Sequence, residues 1–135
     1  MKKRLFLTLA ALLASSAATA STEHYLLRDG NHVYHLKVTQ IGDDIKVGAD
    51  VNFEPNSGAE QGKNPCSAEI SGSAKRTGEN ELVMKRQIEG EARSCSLKIQ
   101  LSPEGAKVEQ SQDCGYYAAG ICHFNTEGKE LVRIK

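Results

Sequence analysis

A strict two-residue alternation runs from Ile45 to Phe53, and it constrains this chain more than any other feature. Ile45, Val47, Ala49, Val51 and Phe53 are separated by Lys46, Gly48, Asp50 and Asn52. Successive side chains of a strand point to opposite faces, so this segment is a strand with one face buried. The same period recurs in Tyr34, Leu36 and Val38, in Ala68, Ile70, Gly72 and Ala74, in Leu97, Ile99 and Leu101, and in Ala106 and Val108. Turn-forming residues punctuate these runs: Asp29-Gly30-Asn31, Gly42-Asp43-Asp44, Thr77-Gly78-Glu79-Asn80 and Ser102-Pro103-Glu104-Gly105. No stretch carries a convincing 3.6-residue stripe. The expectation is an all-β, antiparallel sandwich or small barrel of about seven or eight strands. The Asn-, Gly- and Pro-rich stretch from Glu54 to Pro65 reads as a surface loop between its two parts.

Such a sheet needs a core, and apolar residues are scarce. The first twenty residues have the form of a secretory signal peptide: Lys2, Lys3 and Arg4, then an apolar run from Leu5 to Ala14, then Ala18-Thr19-Ala20 as a cleavage site. The run is too short to span a bilayer, and Ser21 follows the cleavage site where a lipidated cysteine would stand. The expected organisation is a signal peptide over 1–20 and a single β domain over 21–135, periplasmic or secreted. In those 115 residues Leu, Ile, Val and Phe number only 23, close to the level of roughly 20% below which chains struggle to bury a core. Disulfides are the expected supplement, since Cys66, Cys95, Cys114 and Cys122 all follow the leader.

Four cysteines allow three connectivities. Cys95 opens one expected strand, Ser96 to Leu101, and Cys114 closes the next, Ala106 to Asp113, with the Ser-Pro-Glu-Gly turn between them. Folding that hairpin brings its ends together, which favours Cys95 with Cys114 and leaves Cys66 with Cys122. The competing bond, Cys114 with Cys122, would close a small loop around Tyr116 and Tyr117.

Several spaced elements of the second half carry a resemblance: Cys66-Ser-Ala-Glu-Ile-Ser-Gly72, Cys95-Ser-Leu97-Lys-Ile99, Asp113-Cys114-Gly115, and Cys122-His-Phe124-Asn125 followed by Gly128. Over Pro65 to Lys135 the chain resembles a group of small secreted bacterial two-disulfide proteins of uncharacterised function. That resemblance supports the fold and the pairing and implies no catalytic residue. In size, leader and disulfides the chain is also similar to periplasmic lysozyme inhibitors, which are small β-barrels. It departs from their Ser-Gly-x-x-Tyr loop: Ser71-Gly72 is followed by Ser73, Ala74 and Lys75. Inhibition by this chain would use a different loop.

Tests for chemistry mostly return surface or core roles. Removing the three basic leader residues leaves 14 Lys and Arg against 17 Asp and Glu, a net charge of −3, which offers no basic field for nucleic acid or anionic lipid. His32 and His35, with Asp29 and His24 nearby in sequence, are the obvious metal suspects. Residues three apart on a strand face opposite ways, so His32 and His35 cannot share an ion there. No C-x-x-C or G-x-S-x-G occurs, and Ser71 and Ser73 fall on outward strand positions. Among 17 acids some pair can always be found, and no tryptophan is present to stack a sugar. A ligand-carrying barrel would need more apolar lining than this chain has. The expectation is therefore no enzyme, no cofactor and no metal.

What remains is a surface. Asp113-Cys114-Gly115-Tyr116-Tyr117-Ala118-Ala119-Gly120-Ile121-Cys122 sets two tyrosines between glycines in a segment held by cysteines at both ends. A braced loop has little freedom left to lose on binding, and tyrosine gives large contact area at low entropic cost. Tyr116, Tyr117 and Asp113 are the candidate binding residues, unless the rings cap the core. The partner expected is a protein, with inhibition of an extracytoplasmic hydrolase such as lysozyme the sharpest form. A structural or envelope-associated accessory protein is the alternative.

Overall fold

The computed structural model describes residues 20–55, 64–118 and 120–135. They form eight strands: β1 (Ala20–Asp29), β2 (His32–Ile41), β3 (Asp44–Phe53), β4 (Cys66–Gly78), β5 (Glu81–Gln87), β6 (Ser94–Leu101), β7 (Gly105–Gln110) and β8 (Leu131–Ile134). Each pairs antiparallel with the next, and β8 pairs with β1 to close a barrel. Of the two expected architectures the chain adopts the barrel. Much of the connecting stretch Glu54 to Pro65 lies outside the described residues, as does the expected signal peptide apart from Ala20.

The first three strands follow from their turns. Gly30-Asn31 and Gly42-Asp43 are two-residue loops, flanked by Asp29↔His32 and Ile41↔Asp44. Both glycines have positive φ, 65° and 60°, while Asn31 and Asp43 do not. Glycine at the first position of a type II′ turn is what strand twist favours. Each turn launches a ladder of ten residue pairs.

With register fixed, alternation puts one set of side chains inside. Tyr25 faces Leu36, Leu36 faces Ala49 and Ala49 faces Ile70. On the far wall Met84 faces Leu97, and Leu82, Ile99 and Val108 follow in line. These residues form one buried cluster, with Phe53, Met84, Leu97 and Ile99 at 0% exposure. Burying a Val, Leu, Ile, Phe or Met side chain is worth about 1.5 to 3 kcal/mol, which makes this interior the main favourable contribution.

The closing side is built differently. β7 pairs with β8 only at Gly105↔Val132 and Ala106↔Leu131, and the rest of its free edge is sealed by the segment before β8. Thr126 N–H donates to Val108 O at 3.0 Å, and Val108 N–H donates to Thr126 Oγ1 at 3.1 Å. Gln110 N–H donates to Asn125 Oδ1, and Gln110 Oε1 accepts from Phe124 N–H, each at 2.7 Å. Side chains here do what a neighbouring strand would have done, and Thr126 is accordingly buried.

Both expected disulfides are present, Cys66–Cys122 and Cys95–Cys114. Cys114 does not close the strand expected over Ala106 to Asp113. β7 ends at Gln110, and Cys114 sits in a 3-10 turn over Gln112–Tyr116 instead. The chain leaves the sheet at Ser111, whose Oγ accepts from Ser96 N–H and whose N–H donates to Ser96 O, both at 2.9 Å. That anchorage holds the turn over the start of β6, where the Cα atoms of Cys95 and Cys114 are 4.4 Å apart.

Candidate functional site

Past Ala74↔Met84, β4 and β5 pair no further, so the first half of β4 hydrogen-bonds as a strand only to β3. β5 meanwhile continues beside β6 to Gln87. The two strands diverge and leave a split in the wall. Arg86 Nη1 donates across it to Ser71 O at 2.9 Å, and the Tyr117 hydroxyl donates to Gln87 O at 3.2 Å.

The segment that delivers Tyr117 is fastened on both sides. Cys114 bonds to the start of β6 and Cys122 to the start of β4, and Ala118, Cys122 and Phe124 between and beyond them join the barrel core. Asp113 is tied down as well: Arg93 reaches its carboxylate at 3.5 Å while holding Glu91 at 2.6 Å. The bond to Glu91 is the chief reason that the Arg93 guanidinium is held above its ordinary value.

The two tyrosines therefore have different positions. Tyr117 is half-buried and packs against the core. Tyr116 stands 59% exposed, its ring edge-on to that of Tyr117 with centroids 5.1 Å apart. Three adjoining depressions of about 490, 460 and 230 Å³ meet at Tyr117. Asp50, Ser67, Glu69, Arg86 and Glu89 supply most of their charge and hydrogen-bonding capacity. The result is a polar groove along the split, with one exposed aromatic ring at its end.

A larger depression, about 710 Å³, lies between the β2–β3 turn and the outer face of β3 to β5, with Lys46, Lys75 and Lys85 on its walls. Flexible ammonium side chains without an aromatic anchor lose more freedom on binding and make a poorer recognition surface than a braced ring.

The histidines separate as the strand argument requires. His32 packs its ring on Phe53 at 4.5 Å and donates from Nε2 to Ile121 O at 2.9 Å. His35 lies on the outer wall with its Nδ1 3.3 Å from Asp50 Oδ2. Its other nitrogen, Nε2, is 3.0 Å from Nδ1 of His24 on the neighbouring strand, a contact that spacing along one strand does not display. Asp29 instead pairs with Lys129 at 2.6 Å. Ser71 and Ser73 are exposed on the outer face. Among the described residues no three His, Cys, Asp or Glu side chains converge as metal ligands, and no helix is long and apolar enough to cross a membrane.

The groove residues Arg86, Gln87, Glu69 and Asp50 carry no linear motif. Only the register of four strands and the divergence of two of them bring these residues together. The chain matches no protein-family model, no curated protein and no solved structure.

Proposed function

We propose that this chain is a non-catalytic binding protein of an oxidising, extracytoplasmic compartment, and that Tyr116 and the adjoining groove are its contact surface. The sharpest form of the reading is inhibition of an extracytoplasmic hydrolase such as lysozyme. One observation carries it: an exposed tyrosine ring stands on a turn already immobilised by a disulfide, next to a second one. Large exposed aromatics on rigid supports gain interface area with little further ordering cost. The two disulfides are compatible with such a compartment.

The test is a lysis assay with disulfide-intact protein in molar excess over c-, g- and i-type lysozymes. Inhibition of at least one type is expected. Tyr116→Ala should weaken it by at least about 30-fold, the equivalent of the 2 kcal/mol that defines an interface hot spot. No inhibition of any type eliminates the lysozyme form. Capture of an envelope protein by the native chain but not by Tyr116→Ala would preserve the wider binding reading, and equal capture by both would overturn it.

A further inference from the structure

The outer wall of β1, β2 and β3 carries a second constellation, which shares only Asp50 with the groove. The two-residue turn at Gly30-Asn31 sets His24 opposite Lys37 and Leu26 opposite His35, so the two histidines are diagonal neighbours on one face. β3 then places Asp50 directly opposite His35. Their rings are nearly parallel, 11° apart, with centroids 5.2 Å apart and nitrogens at 3.0 Å. Edges meet, not faces.

The carboxylate assigns the protons. Asp50 accepts from His35 Nδ1–H, so in the neutral ring Nε2 carries the lone pair and accepts from His24 Nδ1–H. A carboxylate on the remote nitrogen of a histidine is the arrangement that orients metal-binding imidazoles and raises their basicity. Two nitrogens bound at about 2.0 to 2.1 Å to one ion stand about 2.8 Å apart at a right angle and about 3.4 Å apart at the tetrahedral angle. The observed 3.0 Å lies between. Because the rings meet edge to edge with these nitrogens aimed at one another, both rings turn on binding to point their lone pairs at a shared ion beside the N–N line.

We propose that His24 Nδ1 and His35 Nε2 chelate one divalent transition-metal ion, copper(II) ahead of nickel(II) and zinc(II), with water completing the shell. Imidazole suits all three ions, and copper leads the affinity order for nitrogen sites. The ion takes the place of the shared proton. His24 moves its ring proton to Nε2 through solvent, and His35 keeps its proton on Nδ1 toward Asp50. The Asp50 charge offsets that of Lys37, which lies across from His24 on the same face. Leu26 and Ile134 flank the pair and contribute no competing ligand.

The experiment titrates copper(II) into untagged, disulfide-intact protein at neutral pH, read by calorimetry and by broadening of histidine ring signals in NMR. Saturable one-to-one binding at micromolar metal is expected, with the rings of His24 and His35 broadened first. His24→Ala and His35→Ala should each abolish saturable binding, Asp50→Asn should weaken it about tenfold or more, and His32→Ala should leave it unchanged. No saturable binding by the native chain overturns the proposal, as does binding that survives loss of both histidines. Broadening that begins at His32 or His123 in the unmodified protein overturns it without reliance on any variant.

Discussion

The two halves of the barrel are held by different means. β1 to β3 form ladders of ten pairs from two-residue turns, and β3 continues through nine pairs with β4. From β4 onward the ladders shorten, to four pairs between β4 and β5 and two between β7 and β8. That is where both disulfides, the 3-10 turn and the strand-mimicking side chains occur. A continuous ladder satisfies the backbone but leaves no gap between strands. An interrupted one must be closed by covalent and side-chain bonds, and here it is also what opens a groove.

The largest effect expected from this contrast is on reduction. Chain-entropy reasoning gives roughly 3 kcal/mol for the shorter disulfide loop and roughly 4 kcal/mol for the longer, with nesting making the sum an upper bound. Reduction should therefore lower the melting temperature by well over ten degrees, at about 4 to 8 °C per kcal/mol for a small domain. Hydrogen exchange of the reduced protein should show protection lost first in β5 to β8 and retained longest in β2 and β3. Uniform loss would erase the distinction between the halves.

Next comes the sealed edge. Thr126→Val keeps the volume but leaves Val108 N–H without its buried acceptor, at a cost of about 1 to 3 kcal/mol in denaturant unfolding. A change below about 0.5 kcal/mol would mean that the side chain is not standing in for a strand.

The smallest effect lies in the acid limb. Lys129 hydrogen-bonds Asp29 and holds its carboxyl below the ordinary range. A depressed carboxylate contributes stability above its unfolded pKa of about 3.9 and loses it as pH falls through the lower folded value. The pair joins the β1–β2 turn to the segment before β8. Lys129→Ala should therefore raise the Asp29 titration midpoint, read by NMR, and any accompanying loss of stability, small because the pair is exposed, should be present at neutral pH and vanish in acid. An unchanged midpoint would show that the pair does not form in solution.

The two halves also differ in how plainly the sequence announces them. β3 could be read directly because every second residue is apolar and all five are buried. β1 could not, because Tyr25 and Leu27 face inward with Leu26 between them on the outer face, which breaks the alternation. β8 misleads further, since Val132 and Ile134 are the exposed positions and Leu131 the buried one. The disulfide pairing was legible because it depended only on a hairpin, although Cys114 lies in a 3-10 turn beyond the strand end. The tyrosine segment was visible by composition, but the unequal exposure of its two rings depends on Gln87 being across the split. The His24–His35 contact was within reach: a two-residue turn at Gly30-Asn31 already fixes the register that makes them diagonal.

The interrupted half presents Tyr116 outward and uses Tyr117 as part of the closure. Equilibrium unfolding of Tyr116→Ala and Tyr117→Ala, side by side, tests it without knowledge of any partner. A change within about 0.5 kcal/mol is expected for Tyr116→Ala, as for ordinary surface substitutions. For Tyr117→Ala the expected loss is about 2 kcal/mol or more, because packing and the bond to Gln87 O are removed together. Equal losses in the two variants, or a larger one at Tyr116, would contradict it.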